Sequence, residues 1–140
     1  MHGHFEKVGP SWKESEIRSF GNAALSISSV DEWSDHILIN AESFTEPSAL
    51  YYANESKDFK KIKSLPEKFA PEKYKVEQLY ATSADGTQIP YFQVSNSDME
   101  KNSMNPTLLY GYGGFQISQT PSYLGSFARQ WLDSGGVYVI

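Results

Sequence analysis

The segment Pro106-Thr107-Leu108-Leu109-Tyr110-Gly111-Tyr112-Gly113-Gly114-Phe115 constrains the fold more than any other stretch of the chain. It opens as a compact apolar run and closes in glycines, the pattern of a buried strand running into a tight turn. Gly111, Gly113 and Gly114 are expected to shape that turn, because glycine accepts positive φ angles and lets the backbone approach its neighbours closely. Tyr110, Tyr112 and Phe115 interleave with them, so the turn offers both hydroxyl donors and an apolar ring. A loop at the carboxyl end of a sheet strand is where α/β folds place their ligands.

The residues beyond Phe115 support a strand–helix–strand unit. Leu124, Phe127 and Trp131, with Ala128 and Leu132 beside them, recur at helical spacing and predict a helix over Tyr123 to Asp133. Gly135-Gly136 ends it, and Val137-Tyr138-Val139-Ile140 begins a buried parallel strand. Upstream, Tyr74 to Thr82 and Ile89 to Val94 alternate as two strands around an Asp85-Gly86 hairpin turn, with Pro90 suggesting an edge position.

Residues before Leu65 read differently. Phe5–Val8, Ala23–Ser29, His36–Ala41, Ala49–Ala53 and Phe59–Leu65 are short strand patterns separated by turns, which suggests an antiparallel meander. Pro10-Ser11-Trp12 reads as a loop and Asp31 to Asp35 as a polar turn, with Trp12, Trp33 and Trp131 as packing residues. Leu65-Pro66 to Lys73, with a second proline and alternating charges, is the best linker in the chain. A boundary there divides the chain into residues 1–70 and 71–140. The fold class expected is therefore mixed β and α/β.

Composition narrows the function classes. The net charge is −5, and the nearest approach to a basic patch, Lys57, Lys60, Lys61 and Lys63, is interrupted by Asp58. That argues against a nucleic-acid or anionic-membrane surface. The chain has no cysteine, hence no disulfide framework, thiolate metal site or cysteine nucleophile. This fits the cytosol and leaves a periplasmic location open. His2 and His4 read as a turn between strands, and with His36 the only other histidine no metal site is expected. No stretch approaches the ~18 apolar residues of a membrane span, and Met1 is not followed by a signal peptide.

Leu109 to Phe115, then Ile117-Ser118, Thr120-Pro121-Ser122-Tyr123 and Gly135-Gly136-Val137-Tyr138-Val139, resemble the prolyl oligopeptidase family of serine peptidases. The match is ordered and dense over roughly the last 35 residues. Asp85 to Phe92 resembles the strand–turn–strand that opens that family's hydrolase domain, and Ser43 to Tyr52 is similar to the closing blade of its β-propeller. The resemblance implies antiparallel propeller-blade strands followed by the opening strands and first helix of an α/β-hydrolase sheet. It implies cleavage of short peptides through an acyl-enzyme, often after proline, with no cofactor, and partners in the remainder of the propeller and hydrolase domain. Gly113-Gly114-Phe115 looks more like the prolyl branch than the branch that cleaves after basic residues.

A hydrolase of this class holds its serine in a Gly-x-Ser-x-Gly elbow and has a histidine later in the chain. Neither occurs between Met1 and Ile140: Ser134-Gly135-Gly136 lacks the leading glycine, and no histidine follows His36. The chain is expected to stop before the triad, to begin at an internal methionine, and to be inactive by itself. By resemblance, Tyr112 would donate its phenolic hydroxyl to the oxyanion, Phe115 would line the substrate pocket, and Gly111, Gly113 and Gly114 would shape the loop. Read from the residues alone, Tyr112 and Phe115 are core aromatics beside a glycine turn. Two other functions stay open: a non-catalytic β-rich interaction module with exposed sheet edges, and part of an α/β-hydrolase esterase.

Overall fold

The computed structural model describes residues 3–16, 19–54 and 58–140. Strands β1 (Gly3–Val8) and β2 (Ser11–Glu16) form an antiparallel hairpin closed by Gly9-Pro10. Gly9 takes φ +65° as the first of two loop residues, the glycine-first pattern of a tight hairpin. This corrects two expectations: His4 lies within a strand rather than a turn, and Ser11 and Trp12 open β2 instead of a loop. His2 lies outside the described residues, as does Lys57.

Four strands then make an antiparallel meander in chain order: β3 (Ala24–Ser29), β4 (Ile37–Glu42), β5 (Ala49–Ala53) and β6 (Lys60–Ser64). Alternation decides which face packs. Ile39 opposes Tyr51 and Ala41 opposes Ala49 across β4 and β5, and all four are buried. Phe20 covers them, its ring edge-on to Tyr51 at 5.1 Å and to Phe59 at 5.9 Å. The outer strands bury less; Ile27 and Ile62 are each about half exposed. Trp33, expected to pack, is 92% exposed. Its backbone N–H donates to Asp31 Oδ1 at 2.8 Å, and Ser34 Oγ bonds the same carboxylate, so the turn is organised by Asp31 and turns the indole outward.

The second sheet contains β7 (Tyr74–Thr82), β8 (Gln88–Asn96), β9 (Thr107–Leu109) and β10 (Val137–Val139), in the spatial order β7-β8-β10-β9. β7 and β8 form the expected hairpin, with Gly86 at φ +86° and Thr87 N–H donating to Asp85 Oδ1 at 3.0 Å. β10 runs antiparallel to β8 and parallel to β9, pairing Val137 with Thr107 and Val139 with Leu109. β8 is therefore an inner strand. Pro90 is tolerated because it pairs with Tyr80 on one side and lies beyond the reach of β10 on the other.

A short helix, α1 (Ala128–Leu132), joins the parallel pair β9 and β10. Its winding is wide, with Asp133 N–H donating to Ala128 O and Gly136 N–H to Trp131 O. The helix begins later than its periodicity predicts. Gly125 adopts φ +53°, and the backbone N–H groups of Tyr123 and Leu124 bond to the first half of the chain. The predicted apolar face is nevertheless the one that packs: Ala128 and Leu132 are fully buried, Trp131 and Leu124 lie against them, and Phe127 meets Tyr138 edge-on at 5.3 Å. Gly136 is fixed by packing, because a Cβ there would lie 2.5 Å from the Trp131 ring.

The two sheets meet at Phe44, in the turn between β4 and β5. Its ring, 1% exposed, joins Tyr74, Val94, Ala128 and Leu132 in the core of the second sheet and lies 5.3 Å from Phe92. Ser43 fixes that turn by accepting the N–H groups of Thr45 and Glu46 on its hydroxyl. Phe69 reaches the same core from the linker, edge-on to Tyr74 at 4.9 Å.

Candidate active-site loop

The candidate site lies on the loop that leaves β9. β9 is the outer strand of its sheet because β10 is inserted between it and β8. Among the described residues no layer packs over its faces, and Leu108 is 42% and Leu109 75% exposed, where the sequence predicted a buried strand. The loop starts firmly, with Tyr110 N–H donating to Val139 O at 2.8 Å. It then runs as irregular chain to the helix.

Tyr112 is 46% exposed, and its hydroxyl makes no hydrogen bond among the described residues. The ring folds back over Gly114: a Cβ at Gly114 would lie 3.1 Å from the Tyr112 hydroxyl oxygen and 3.2 Å from Cζ. Any larger residue at 114 would displace the phenol. Gly111 and Gly113 have open space around them, and no contact explains a glycine at either position.

The expected positive φ falls elsewhere. Gly111, Gly113 and Gly114 do not adopt it; Phe115 and Gln116 do, at +55° and +54°. Ile117 N–H donates to Gly114 O at 3.2 Å, closing a tight left-handed turn with Phe115 and Gln116 at its centre. Such angles cost on the order of 1–3 kcal/mol for each residue with a side chain. Phe115 is held there 90% exposed. Neither Tyr112 nor Phe115 is therefore a core aromatic of the described structure.

The far end of the loop is organised by contacts with the first half of the chain that no sequence pattern signals. Glu42 Oε1 accepts the Tyr123 N–H at 2.8 Å, Phe44 O accepts the Leu124 N–H at 3.1 Å, and the Tyr123 hydroxyl accepts the Lys68 N–H at 2.6 Å. Tyr123 also stacks on Phe69 at 5.1 Å with an interplanar angle of 29°. Behind the sheet, the buried Tyr74 hydroxyl donates to Asp133 Oδ1 at 2.6 Å, and Lys73 Nζ meets the same oxygen at 2.8 Å. Burial, then the Asp133 carboxylate, push the Tyr74 phenol up to about 12. Lys73 and then Tyr74 hold the Asp133 carboxyl below its ordinary value. Among the described residues no cluster of three metal-ligating side chains occurs, and no helix is long and apolar enough to cross a membrane.

No protein-family model matches the chain. An uncharacterised peptidase of Sinorhizobium fredii is 39% identical to it over 130 residues, which is 92% of this chain and 18% of that protein. A solved prolyl endopeptidase superposes with a TM-score of 0.78 at 33% identity, over 91% of this chain and 19% of its own. A post-proline cleaving enzyme from Rickettsia typhi superposes with a TM-score of 0.73 at 31% identity, over 98% of this chain and 20% of its own. The chain thus spans about a fifth of the length of the proteins it matches. It belongs to the prolyl oligopeptidase family of peptidases, and matches a fragment of one.

Proposed function

We propose that this chain is the junction segment of a serine-type oligopeptidase: residues 1–70 close a β-propeller and lead through a linker to residues 71–140, which open an α/β-hydrolase domain. The sheet β3–β6 has the four antiparallel strands of one propeller blade. In the second sheet the candidate loop follows the third strand in chain order and precedes the first helix. That is the place from which α/β hydrolases supply an oxyanion donor. The longer peptidase would act on short peptides, with cleavage after proline the preferred reading, and would work in the cytoplasm.

The observation that carries this reading is Tyr112, an exposed phenol with an unengaged hydroxyl on that loop. In acyl transfer a serine Oγ adds to the scissile carbonyl, and the carbonyl oxygen gains negative charge. The Tyr112 hydroxyl would donate to that oxygen, while the nucleophile, its base and the orienting carboxylate come from outside these 140 residues. Phe115, presented to solvent by its left-handed backbone, would offer its ring to an apolar substrate side chain. Gly114 would keep the room that the Tyr112 ring occupies.

The test is made in the longer peptidase. A Tyr112→Phe change is expected to lower kcat by about 10-fold to 1000-fold with KM little altered, the pattern of a lost oxyanion donor. A fluorophosphonate should label the longer protein and leave the isolated 140-residue chain unlabelled. Unchanged turnover of the variant, or labelling of the short chain, refutes the assignment.

A further inference from the structure

The loop between Tyr110 and Leu124 is clamped at its two ends by different parts of the molecule. Its start is held by β10 of its own sheet, through Tyr110 N–H and Val139 O. Its end is held from the first half of the chain, by Glu42, Phe44 and Lys68. Glu42 is the last residue of β4, and the Ser43 turn beyond it is itself tied down: Ser43 N–H donates to Glu46 O, and the Ser43 hydroxyl accepts two backbone N–H groups. Phe44, anchored in the second core, fixes this bracket against the hydrolase-like sheet. The Glu42 carboxylate therefore extends from a fixed stretch of backbone, and its one described hydrogen bond is to the Tyr123 N–H at the end of the loop. A charge-assisted bond of this type is about twice as strong as a neutral one.

We infer that Glu42 is a positioning residue for the peptidase reaction, setting the placement of the Tyr112 loop from the blade side of the junction. The inference rests on the reading of Tyr112 as an oxyanion donor. Between its clamped ends the loop has the Gly114–Ile117 turn as internal support, and the seat of Tyr123 fixes the end to which the chain carrying Tyr112 and Phe115 returns. A donor displaced by ~1 Å can cost on the order of 100-fold in rate. Glu42 thereby couples the seating of the first sheet to the geometry of the oxyanion site.

Steady-state kinetics of the longer peptidase on a short chromogenic prolyl peptide test this. Glu42→Ala should lower kcat by about 10-fold to 100-fold with KM within about 3-fold, since an oxyanion donor acts in the transition state. Glu42→Gln keeps the acceptor oxygen at the same reach and should stay within about 3-fold of the unaltered enzyme. The double change Glu42→Ala with Tyr112→Phe should be no slower than Tyr112→Phe alone, because both act through one donor. Should Glu42→Ala fail to fold, Glu42→Asp replaces it: shortened by one methylene, it should be slow where Glu42→Gln is fast. Equal rates for these variants, an additive double variant, or a Glu42→Ala enzyme with unaltered kcat overturn the role of Glu42. A Tyr112→Phe enzyme with unaltered kcat overturns instead the reading on which it rests.

Discussion

Removing the hydroxyl of Tyr74 should destabilise the fold by an amount that disappears in alkali. Tyr74 is 6% exposed, and its hydroxyl donates to Asp133 Oδ1 at 2.6 Å, closing β7 onto the end of α1. Burial and the neighbouring carboxylate raise its pKa from 10.0 to about 12. A group whose folded pKa is raised stabilises the fold fully below its unfolded value, and that contribution is lost as pH climbs from 10 through about 12. Two units at about 1.4 kcal/mol each set how much of the tyrosine's advantage ionisation removes, about 2.7 kcal/mol. A hydrogen bond to a charged group is worth about 1.5–3 kcal/mol, which sets the size of the Tyr74→Phe gap below pH 10. Urea unfolding of the two proteins side by side measures it, because the alkaline titration of the shared lysines and remaining tyrosines cancels in the difference. The expected gap is about 2 kcal/mol near pH 8, closing by about pH 12. A gap that stays constant over that range, or no gap near pH 8, refutes the account.

Packing and backbone geometry give two more expected outcomes. Phe44→Ala should cost about 3–5 kcal/mol in urea unfolding, and near-ultraviolet circular dichroism should lose signal from both sheets together, because its ring ties the first sheet to the core of the second. Gln116→Gly should raise stability by about 1 kcal/mol, since glycine carries φ +54° without the strain of a side chain; a drop in the unfolding midpoint would mean that the turn is not strained.

Strand positions were legible because short apolar and β-branched runs between turns mark them. Which face packs follows from the pairing: Ile39 and Ala41 on β4 oppose Tyr51 and Ala49 on β5 and pack together. The apolar face of α1 was equally readable from Leu124, Ala128, Trp131 and Leu132. The start of that helix was not, because the N–H groups of Tyr123 and Leu124 find partners some 80 residues away in sequence, at Glu42 and Phe44. No periodicity carries such a signal. The outer place of β9 escaped for a related reason: spatial order puts β10 between β8 and β9, and a strand's own residues do not state its place in a sheet. Motif resemblance singled out Tyr112 and Phe115 as candidates, while Glu42 carried no local signal at all.

The glycine run shows why a correct motif can carry an incorrect geometric reason. Glycines in a turn suggest left-handed backbone, and Gly86 in the β7–β8 hairpin obeys that rule. Gly114 does not; its missing Cβ makes room for the Tyr112 ring. The left-handed step falls instead on Phe115 and Gln116, two residues that tolerate it poorly. A core aromatic would offset the strain by burial, and a plain surface turn would carry Asn-Gly at its centre. Phe115 has neither excuse, being 90% exposed and strained at once. Under the proposed function the ring is held out for an apolar substrate side chain, and the strained backbone is part of that presentation. The strain therefore separates Phe115 from the exposed Trp33, whose turn is fully satisfied by Asp31, although both rings stand equally open to solvent.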